Sequence, residues 1–424
     1  MKKLSLANLF SKLQGVLFCC LIFLLPSNLF LVLSEQNAFV SGLRIDYLLP
    51  KFFLSDIVVL GILILEIPRL LPNLKQYLQF PKQWQLPLII GLLFGAYFIK
   101  QLLSPNPMAS LWYLLKLLEM VALTVVITRR KLFRYPWVVP SIALSIVFQS
   151  VLGMYQFITQ HSVAGYWFLG EVTMSRSIGL AKATWQGREL ILPYGTTAHP
   201  NILAGILAVY SLFLMRMRPS RPLSYLSILL GVLVIVLSGS VSASLILLTA
   251  AAMYVLGRKL GDSNSAAKII FYGYLLLIPL SIFFISTQST NASITRRAYL
   301  QSAAVDMILS NPHTGVGLNT FVQEVEQYGE FKEVVRFVQP VHHVGLLFLA
   351  ESGWLGVVLL GFCIYLVSRK KRSTSELWLW LAVLAPVLSL DHYLYTQQSG
   401  LLLVVLVISF AHTHSAKERR LVKG

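Results

Sequence analysis

Long apolar stretches constrain this chain more than any other feature of its sequence. Stretches of about 17 to 25 residues can cross the hydrocarbon core of a bilayer as helices. Of the 424 residues, 56% are hydrophobic and only 12% are charged. We therefore predict an all-α, polytopic integral membrane protein, a single membrane domain over 1–424, with about twelve transmembrane helices near 13–33, 52–71, 86–103, 110–128, 136–158, 198–215, 223–239, 241–257, 269–286, 343–368, 377–393 and 398–412.

The lysines and arginines are distributed unevenly between the two ends of these stretches. Of the 35 Lys and Arg residues, 24 fall in segments that lie on one side, among them the segments at both termini. Because cytoplasmic loops carry the excess of Lys and Arg, we predict that both termini are cytoplasmic. The net charge of +18 then reflects topology, and we expect the bilayer rather than a nucleic acid as the partner.

Two connections on the opposite, extracytoplasmic side are much longer than the others, near 159–197 and 287–341. Loops of this length in compact proteins are functional or disordered. The first contains Tyr166, Trp167, Phe168 and Trp185, and the second contains a helical pattern near 294–310. We therefore predict two ordered loops, the second with a helix, where the chemistry of the protein takes place.

The first polar motif leads from Arg188 into the sixth span. Pro200 suits the first turn of a helix, so the helix is expected to begin there with its N-terminus facing outward. Free N–H groups and the helix dipole attract anions at such an end. His199 and Asn201 are therefore candidate supporting residues of a site, although both can equally serve as helix caps.

The second motif places Arg296 and Arg297 at the start of the predicted loop helix, which Asn311-Pro312 ends. Two cations in the first turn oppose the helix dipole, and a bound anion would remove that conflict. The guanidinium fork suits phosphate, so both arginines are candidate diphosphate ligands, with Arg188 as a helper. Solvated or headgroup-facing arginines are the alternative.

The third motif is His342-His343, at the outer start of the tenth span, followed by Glu351 and Gly353 within that span. A helix N-terminus disfavours the imidazolium form, which leaves a neutral ring able to accept a proton near pH 7. His342 is therefore the candidate catalytic base. Interfacial anchoring of the helix is the alternative, and we favour it for His343.

Motifs for bound metals and nucleotides are missing from the sequence. It has no G-x-x-x-x-G-K-[ST] loop, and none of its five aspartates forms an Asp-x-Asp pair. The three cysteines all fall inside predicted spans. We therefore expect neither a metal nor a cofactor.

Charged residues near or within the predicted spans, such as Asp56, Lys116 and Glu119, are also typical of transporters. A transporter is therefore the second possible class of protein, unless these residues pair with one another.

Taken in order, the segments YGTTAHPNILAGIL, SITRRAYLQSAAVDMILSNPHTGVGLNTF and QPVHHVGLLFLAESGWLG resemble the O-antigen ligase and O-antigen polymerase superfamily of bacterial membrane glycosyltransferases. The resemblance covers roughly residues 185–365. It implies a bacterial inner-membrane enzyme with an extracytoplasmic active site and a polyprenyl (undecaprenyl) diphosphate-linked glycan as donor. It also implies an acceptor that is a glycan, a lipid or a protein.

The resemblance also assigns roles to residues. Arg297 matches the arginine that opens the loop helix, His342 matches the histidine that acts on the acceptor hydroxyl, and Glu351 and Gly353 match the conserved helix motif. The sequence departs from the family pattern twice. Leu192-Pro193 stands where an arginine often precedes the YGT segment, so that Arg188 or Arg176 would have to replace it, and His343 stands where the family has asparagine.

The reaction that the resemblance implies needs no metal, because a glycosyl diphosphate already carries a good leaving group. Arginines would stabilise the departing charge and a neutral histidine would activate the hydroxyl, in one displacement that inverts the anomeric carbon. We expect an O-antigen ligase-like enzyme, with a polymerase or a protein O-oligosaccharyltransferase of the same superfamily as the alternative.

The charge distribution predicts the outcome of a topology experiment. Cysteines introduced at Ser162 and Gly329 should react in intact cells with a thiol reagent that does not cross membranes. Protection of both positions until the cells are lysed would reverse the predicted orientation.

Overall fold

The computed structural model describes residues 6–70, 85–174, 179–217, 222–260, 263–286, 292–328, 338–368 and 374–413. Arg176 and Gly329, which the sequence singled out, lie outside these residues. Helices dominate the described part. The longer ones are α1 (Leu6–Leu24), α2 (Leu54–Ile64), α4 (Gln85–Leu102), α5 (Pro107–Arg130), α6 (Val138–Thr159), α7 (Pro200–Met217), α8 (Pro222–Ser238), α9 (Val241–Leu260), α10 (Ser263–Ser286), α11 (Ala292–Ser310), α13 (Val344–Ser368), α14 (Thr374–Leu390) and α16 (Gln398–Thr413).

Shorter elements connect these helices. They are the helices α3 (Ile67–Leu70), α12 (Phe321–Glu324) and α15 (Tyr393–Thr396) and the strands β1 (Phe30–Val32), β2 (Phe39–Val40), β3 (Leu43–Arg44), β4 (Lys51–Phe53), β5 (Lys182–Trp185) and β6 (Arg188–Ile191). The described strands form three antiparallel pairs, β1 with β4, β2 with β3 and β5 with β6. Each pair belongs to a connection between helices.

Five helices of the described part are long and apolar enough to cross a membrane: Pro107–Arg130, Val138–Thr159, Pro200–Met217, Asn264–Ile285 and Val344–Tyr365. Six further apolar helices are shorter. The prediction of a helical fold is therefore confirmed, and these helices are consistent with a membrane protein, whereas the number of twelve spans stays a prediction. The helix α7 is central, with most of its residues buried, and α10 has an apolar surface that is largely exposed, as expected for a helix that faces lipid.

Two predicted spans are wrong at their C-terminal ends. The first, 13–33, ends as a helix at Leu24, and Phe30–Val32 continues as a strand paired with Lys51–Phe53. Pro26 follows the helix by two residues, and proline disfavours helical backbone immediately before it. The eleventh, 377–393, ends as a helix at Leu390. Asp391 and His392 therefore lie outside the span in which the sequence placed them.

The ionisable side chains inside the helix bundle pair with one another. Lys116 forms ion pairs with Asp56 and, at 3.4 Å, with Glu119. Glu66 accepts hydrogen bonds from Arg130, and Glu376 pairs with Arg216. Removing one member would leave a buried charge uncompensated, which is strongly destabilising, so these pairs fix helix positions.

The first long connection is ordered by a buried carboxylate. Glu171 accepts hydrogen bonds from the backbone N–H groups of Val163 (2.7 Å), Ala164 (2.9 Å) and Gly165 (2.8 Å). The side chain of Gln156 on α6 donates a fourth hydrogen bond to it at 3.0 Å. Four donors satisfy a charge that would otherwise be costly to bury, and they hold this loop against the end of α6.

The second long connection docks into a break in α13. At Gly353 the backbone adopts φ 59° and ψ −168°, which interrupts the helix. The N–H of Trp354 instead donates to the Pro312 carbonyl at 2.9 Å, and the N–H of Val316 donates to the Ala350 carbonyl at 2.9 Å. The segment after α11 is thereby joined to α13 by backbone hydrogen bonds.

Replacing Gly353 by alanine should destabilise this junction. The backbone conformation is one that only glycine adopts readily, at a cost of about 1–3 kcal/mol for other residues. A Cβ there would also lie 2.5 Å from the carbonyl carbon of His313. We expect Gly353→Ala to lower the thermal unfolding midpoint of the purified protein. Gly361→Ala on the same helix is the matched control, because a Cβ at Gly361 meets nothing within 4 Å. Equal midpoints for the two variants would contradict the expectation.

Candidate functional site

Four helix ends meet at a cluster of polar side chains. Asp391, directly after α14, accepts hydrogen bonds through its carboxylate from the amide of Asn201 at 3.2 Å and from the N–H of His392 at 2.8 Å. Arg297 on α11 donates to the Leu390 carbonyl at 3.1 Å. The rings of His342, just before α13, and His392 lie edge to face with their centroids 5.0 Å apart. The N-terminus of α7, the C-terminus of α14, α11 and the segment before α13 therefore share one site.

The carboxylate of Asp391 is the anion of this cluster. Burial alone would raise its pKa, but His392, His342 and the hydrogen bond from the N–H of His392 together lower the pKa below its ordinary value. Asp391 is therefore ionised at neutral pH and offsets the positive charge of Arg297. Burial lowers the pKa of Arg297, and Asp391 opposes that shift.

His342 is partly exposed, whereas its neighbour His392 is buried. Its Nδ1 atom is buried and has no hydrogen-bond partner among the described residues. Burial, followed by the neighbouring His392 and Arg297, lowers the pKa of His342, while Asp391 opposes the shift. The ring is therefore neutral at pH 7 and has an unoccupied nitrogen, which is what a proton acceptor requires.

His392 is buried beside His342 and held from two directions. Its Nδ1 lies 2.8 Å from the Thr396 hydroxyl, and its ring packs edge to face on Tyr47 at 5.5 Å. Burial lowers its pKa, with Asp391 opposing. This fixed neutral ring packs edge to face against His342.

His199 and Asn201 serve as the N-terminal cap of α7, one of the two interpretations the sequence left open. The N–H of Asn201 donates to Nδ1 of His199 at 3.1 Å, so that the neutral ring carries its proton on Nε2. The side chain of Asn201 nevertheless reaches Asp391. The cap thereby joins the first motif to the cluster, and burial lowers the pKa of His199 while Asp391 opposes.

The three candidate arginines occupy different surroundings. Because α11 begins at Ala292, Arg296 and Arg297 lie in its second turn, and the prediction of a first-turn position was wrong. The dipole effect fades beyond the first turn, so the need for a bound anion no longer follows from it. A cation at the C-terminal carbonyl of α14 is favourable, which explains the place of Arg297. Arg296 is half-buried and points about 100° away from it around the helix.

Arg188 lies in the exposed β5–β6 hairpin, next to the turn at Gln186 and Gly187. Among the described residues, no hydrogen bond or ring contact joins it to the cluster. The structure therefore brings Arg297, His342, His199 and Asn201 together, and it leaves Arg188 apart from them.

Glu351 and His343 hold the surrounding elements in place. The carboxylate of Glu351 accepts from the N–H of Phe321 at 3.2 Å and from the Tyr395 hydroxyl at 2.9 Å. Tyr395 belongs to α15, the short helix directly after His392, so Glu351 positions His392 indirectly. Nδ1 of His343 accepts from the N–H of Leu346 at 3.1 Å, and its Nε2 lies 3.1 Å from the Leu275 carbonyl. His343 thus ties α13 to α10.

Sequence reasoning missed Asp391, His392 and Tyr47. Asp391 and His392 were assigned to the eleventh span because the residues on both sides of them are apolar. They could have been found as a pair, since an aspartate next to a histidine interrupts an otherwise uncharged segment between Glu376 and the C-terminal cations. An ionisable residue within an apolar segment is a candidate functional residue by default.

A comparison with protein families agrees with this geometry. The family model described as O-antigen ligase matches residues 190–361. No curated protein matches the chain. The resemblance inferred from the three motifs is therefore confirmed for residues 190–361, which match the O-antigen ligase family. His199, Arg297 and His342 lie within the matched segment, whereas Asp391 and His392 follow it.

The electrostatic coupling in the cluster predicts opposite shifts in two variants. Removing a cation should raise the pKa of His342 toward its ordinary value of 6.5, so Arg297→Gln is expected to raise it. Removing the anion in Asp391→Asn is expected to lower it further. Histidine-selective NMR titration of the protein in nanodiscs measures both. Arg44→Gln, an exposed cation paired with Glu35, is the control that should leave His342 unchanged. Shifts of the same sign in both cluster variants would refute this account.

Proposed function

We propose that this protein is an O-antigen ligase-like membrane glycosyltransferase. It transfers a glycan from a polyprenyl diphosphate carrier, of the undecaprenyl type, to an acceptor hydroxyl on the extracytoplasmic face of the bacterial inner membrane. The observation that carries the proposal is the cluster in which a neutral histidine with a free nitrogen lies beside an arginine, inside a domain of the O-antigen ligase superfamily.

In this mechanism the donor diphosphate binds at Arg297 and His342 accepts the proton of the attacking hydroxyl. The hydroxyl oxygen forms the new bond to the anomeric carbon while the bond to the diphosphate oxygen breaks, which inverts the configuration. The guanidinium stabilises the charge that develops on the leaving diphosphate. Asp391 and His392 orient the two groups, and the chain's own cation takes the part that a metal plays in other glycosyltransferases.

Donor binding and base strength are linked in this arrangement. The positive charge of Arg297 lowers the pKa of His342. A bound diphosphate would offset that charge, so the pKa of His342 rises toward neutrality when the donor is present. A general base works best when its pKa is near the working pH. His342 therefore becomes a better base once the donor diphosphate is bound at Arg297.

The acceptor separates three activities within the superfamily. A lipid acceptor defines a ligase, a growing glycan defines a polymerase, and a protein hydroxyl defines an O-oligosaccharyltransferase. We place the ligase first on the family description alone. The transporter alternative rested on charges near or within the spans, and Lys116, Asp56 and Glu119 are paired with one another.

His342→Ala should abolish glycan transfer while the protein still inserts and folds. The loss of a positioned general base lowers rates by about 10²- to 10⁴-fold. The measurement is transfer of glycan from purified lipid-linked donor to acceptor, with the melting midpoint as the test of folding. The exposed His161 supplies the matched control His161→Ala. Transfer by His342→Ala near the wild-type rate would remove this residue from the role of base.

Arg297→Ala and Arg297→Lys distinguish the contribution of the positive charge at position 297 from that of the planar guanidinium group. A charge-assisted hydrogen bond contributes about 1.5–3 kcal/mol, so its loss should cost about one to two orders of magnitude in kcat/KM. Lysine keeps the charge but loses the planar fork, and it should rescue only part of the activity. Arg188→Ala tests the predicted helper in the same assay. Wild-type activity in both Arg297 variants would exclude this residue from the donor site.

A further inference from the structure

A cavity lies close to the histidine cluster. It has a volume of about 50 Å³, is open to solvent, and is walled mainly by residues of the connections, with α5 forming one side. This space holds only a few water molecules, so a ligand would lie partly in the cavity and partly in solvent. The lining residues that matter here are Asp46, Tyr47, Lys51, Trp112, Asn319 and Gln397.

Two residues of the cavity wall also contact the cluster. Tyr47 packs on the ring of His392, and the Thr396 hydroxyl lies 2.8 Å from its Nδ1. His392 in turn packs against His342. The cavity wall is therefore separated from the proposed base His342 by one side chain, that of His392.

Both cations of the cavity already have carboxylate partners. Lys51 pairs with Asp46 at 2.5 Å. Lys116 pairs with Asp56 and Glu119. A phosphate or a sugar acid entering here would find no uncompensated positive charge and would have to break an existing pair, which is costly where the partners are buried. Arg297 differs, because its hydrogen bond goes to the uncharged carbonyl of Leu390 and no carboxylate of the described residues lies within ion-pair distance of it. Asp391 acts on its charge only from farther away.

The remaining wall combines aromatic faces with amide groups. Trp112 is held by a hydrogen bond of 3.2 Å from its Nε1 to the Lys51 carbonyl. Asn319 donates to the Tyr47 carbonyl at 2.7 Å, which leaves its amide oxygen to accept. The side chain of Gln397 makes no hydrogen bond to the described residues. Aromatic rings pack on the C–H faces of a sugar, and amides both donate to and accept from its hydroxyls.

We infer that this cavity is a subsite for an uncharged sugar of the acceptor, one side chain away from the proposed base His342. The inference rests on the proposed glycosyl transfer. It adds that the acceptor presents a neutral sugar ring at this point, rather than a phosphorylated or acidic one. The protein would then bind the anionic donor through the positive charge of Arg297 and the acceptor sugar through a cavity without uncompensated charge.

The test uses the full chain in nanodiscs with glucose, N-acetylglucosamine and rhamnose as neutral probes and glucuronate and glucose 1-phosphate as charged ones. Saturation-transfer NMR reports which of them bind. We expect at least one neutral sugar to bind more tightly than either charged probe. Gln397→Leu should weaken that binding about three- to tenfold, as the loss of one or two hydrogen bonds implies.

Matched controls separate the subsite from general effects. Gln327→Leu and Trp354→Leu alter exposed residues of the same types outside the cavity and should leave sugar binding unchanged, whereas Trp112→Leu should weaken it. Binding that is stronger for the charged probes, absent for all neutral ones, or indifferent to Gln397→Leu and Trp112→Leu overturns the inference.

The proposed transfer activity is judged separately. Arg297→Ala should leave the binding of neutral monosaccharides unchanged but weaken that of the lipid-linked donor. If the donor still depends on Arg297 and His342 while no neutral sugar binds, only the subsite fails. If sugar binding follows the cavity variants but transfer is indifferent to His342, the proposed function fails and the cavity remains a sugar site.

Discussion

The buried carboxylate of Asp391 is the interaction on which the site depends. It accepts from Asn201 at the start of α7 and from the N–H of His392 at the end of α14, and it lies close enough to Arg297 to oppose the pKa shift of that residue. A buried anion is stable only when donors and cations surround it. The chain supplies them from separate segments, so satisfying one charge brings together the residues proposed to bind donor and to accept a proton.

The break in α13 keeps these segments at fixed distances. Glycine at position 353 frees backbone groups that then bond the loop after α11, while Glu351, two residues earlier, binds Phe321 and Tyr395. One turn of one helix thus positions the α11 loop, α12 and α15. The Gly315-Val316-Gly317 segment of the loop approaches the backbone of Glu351 so closely that a Cβ at Gly315 would lie 2.3 Å from its carbonyl carbon.

The sequence was sufficient for those parts of the structure that hydropathy and local signals determine. The apolar stretches predicted helices, Pro200 marked the start of α7, and Asn311-Pro312 marked the end of α11. It was insufficient where a residue's role depends on a distant partner. Nothing local to Asp391 shows that Asn201 contacts it, since 190 residues separate the two. For the same reason the partner of Arg297 was sought in a bound anion, whereas its hydrogen bond goes to the carbonyl of Leu390 on another helix.

Charge compensation divides the interior into two regions with different chemistry. Around Lys51 and Lys116 each cation has a carboxylate within ion-pair distance, so that the field there is nearly balanced and an uncharged polar ligand is favoured. Around Arg297 one carboxylate, Asp391, faces one guanidinium and three histidines whose pKa values are all lowered. Each of those rings is neutral at pH 7 and becomes a cation only when it takes up a proton. A second anion, brought by a substrate, makes that uptake more favourable, because it offsets the arginine that opposes it. The site therefore gains proton affinity from an anionic ligand, which is the property a base needs if it is to act only after its donor has bound.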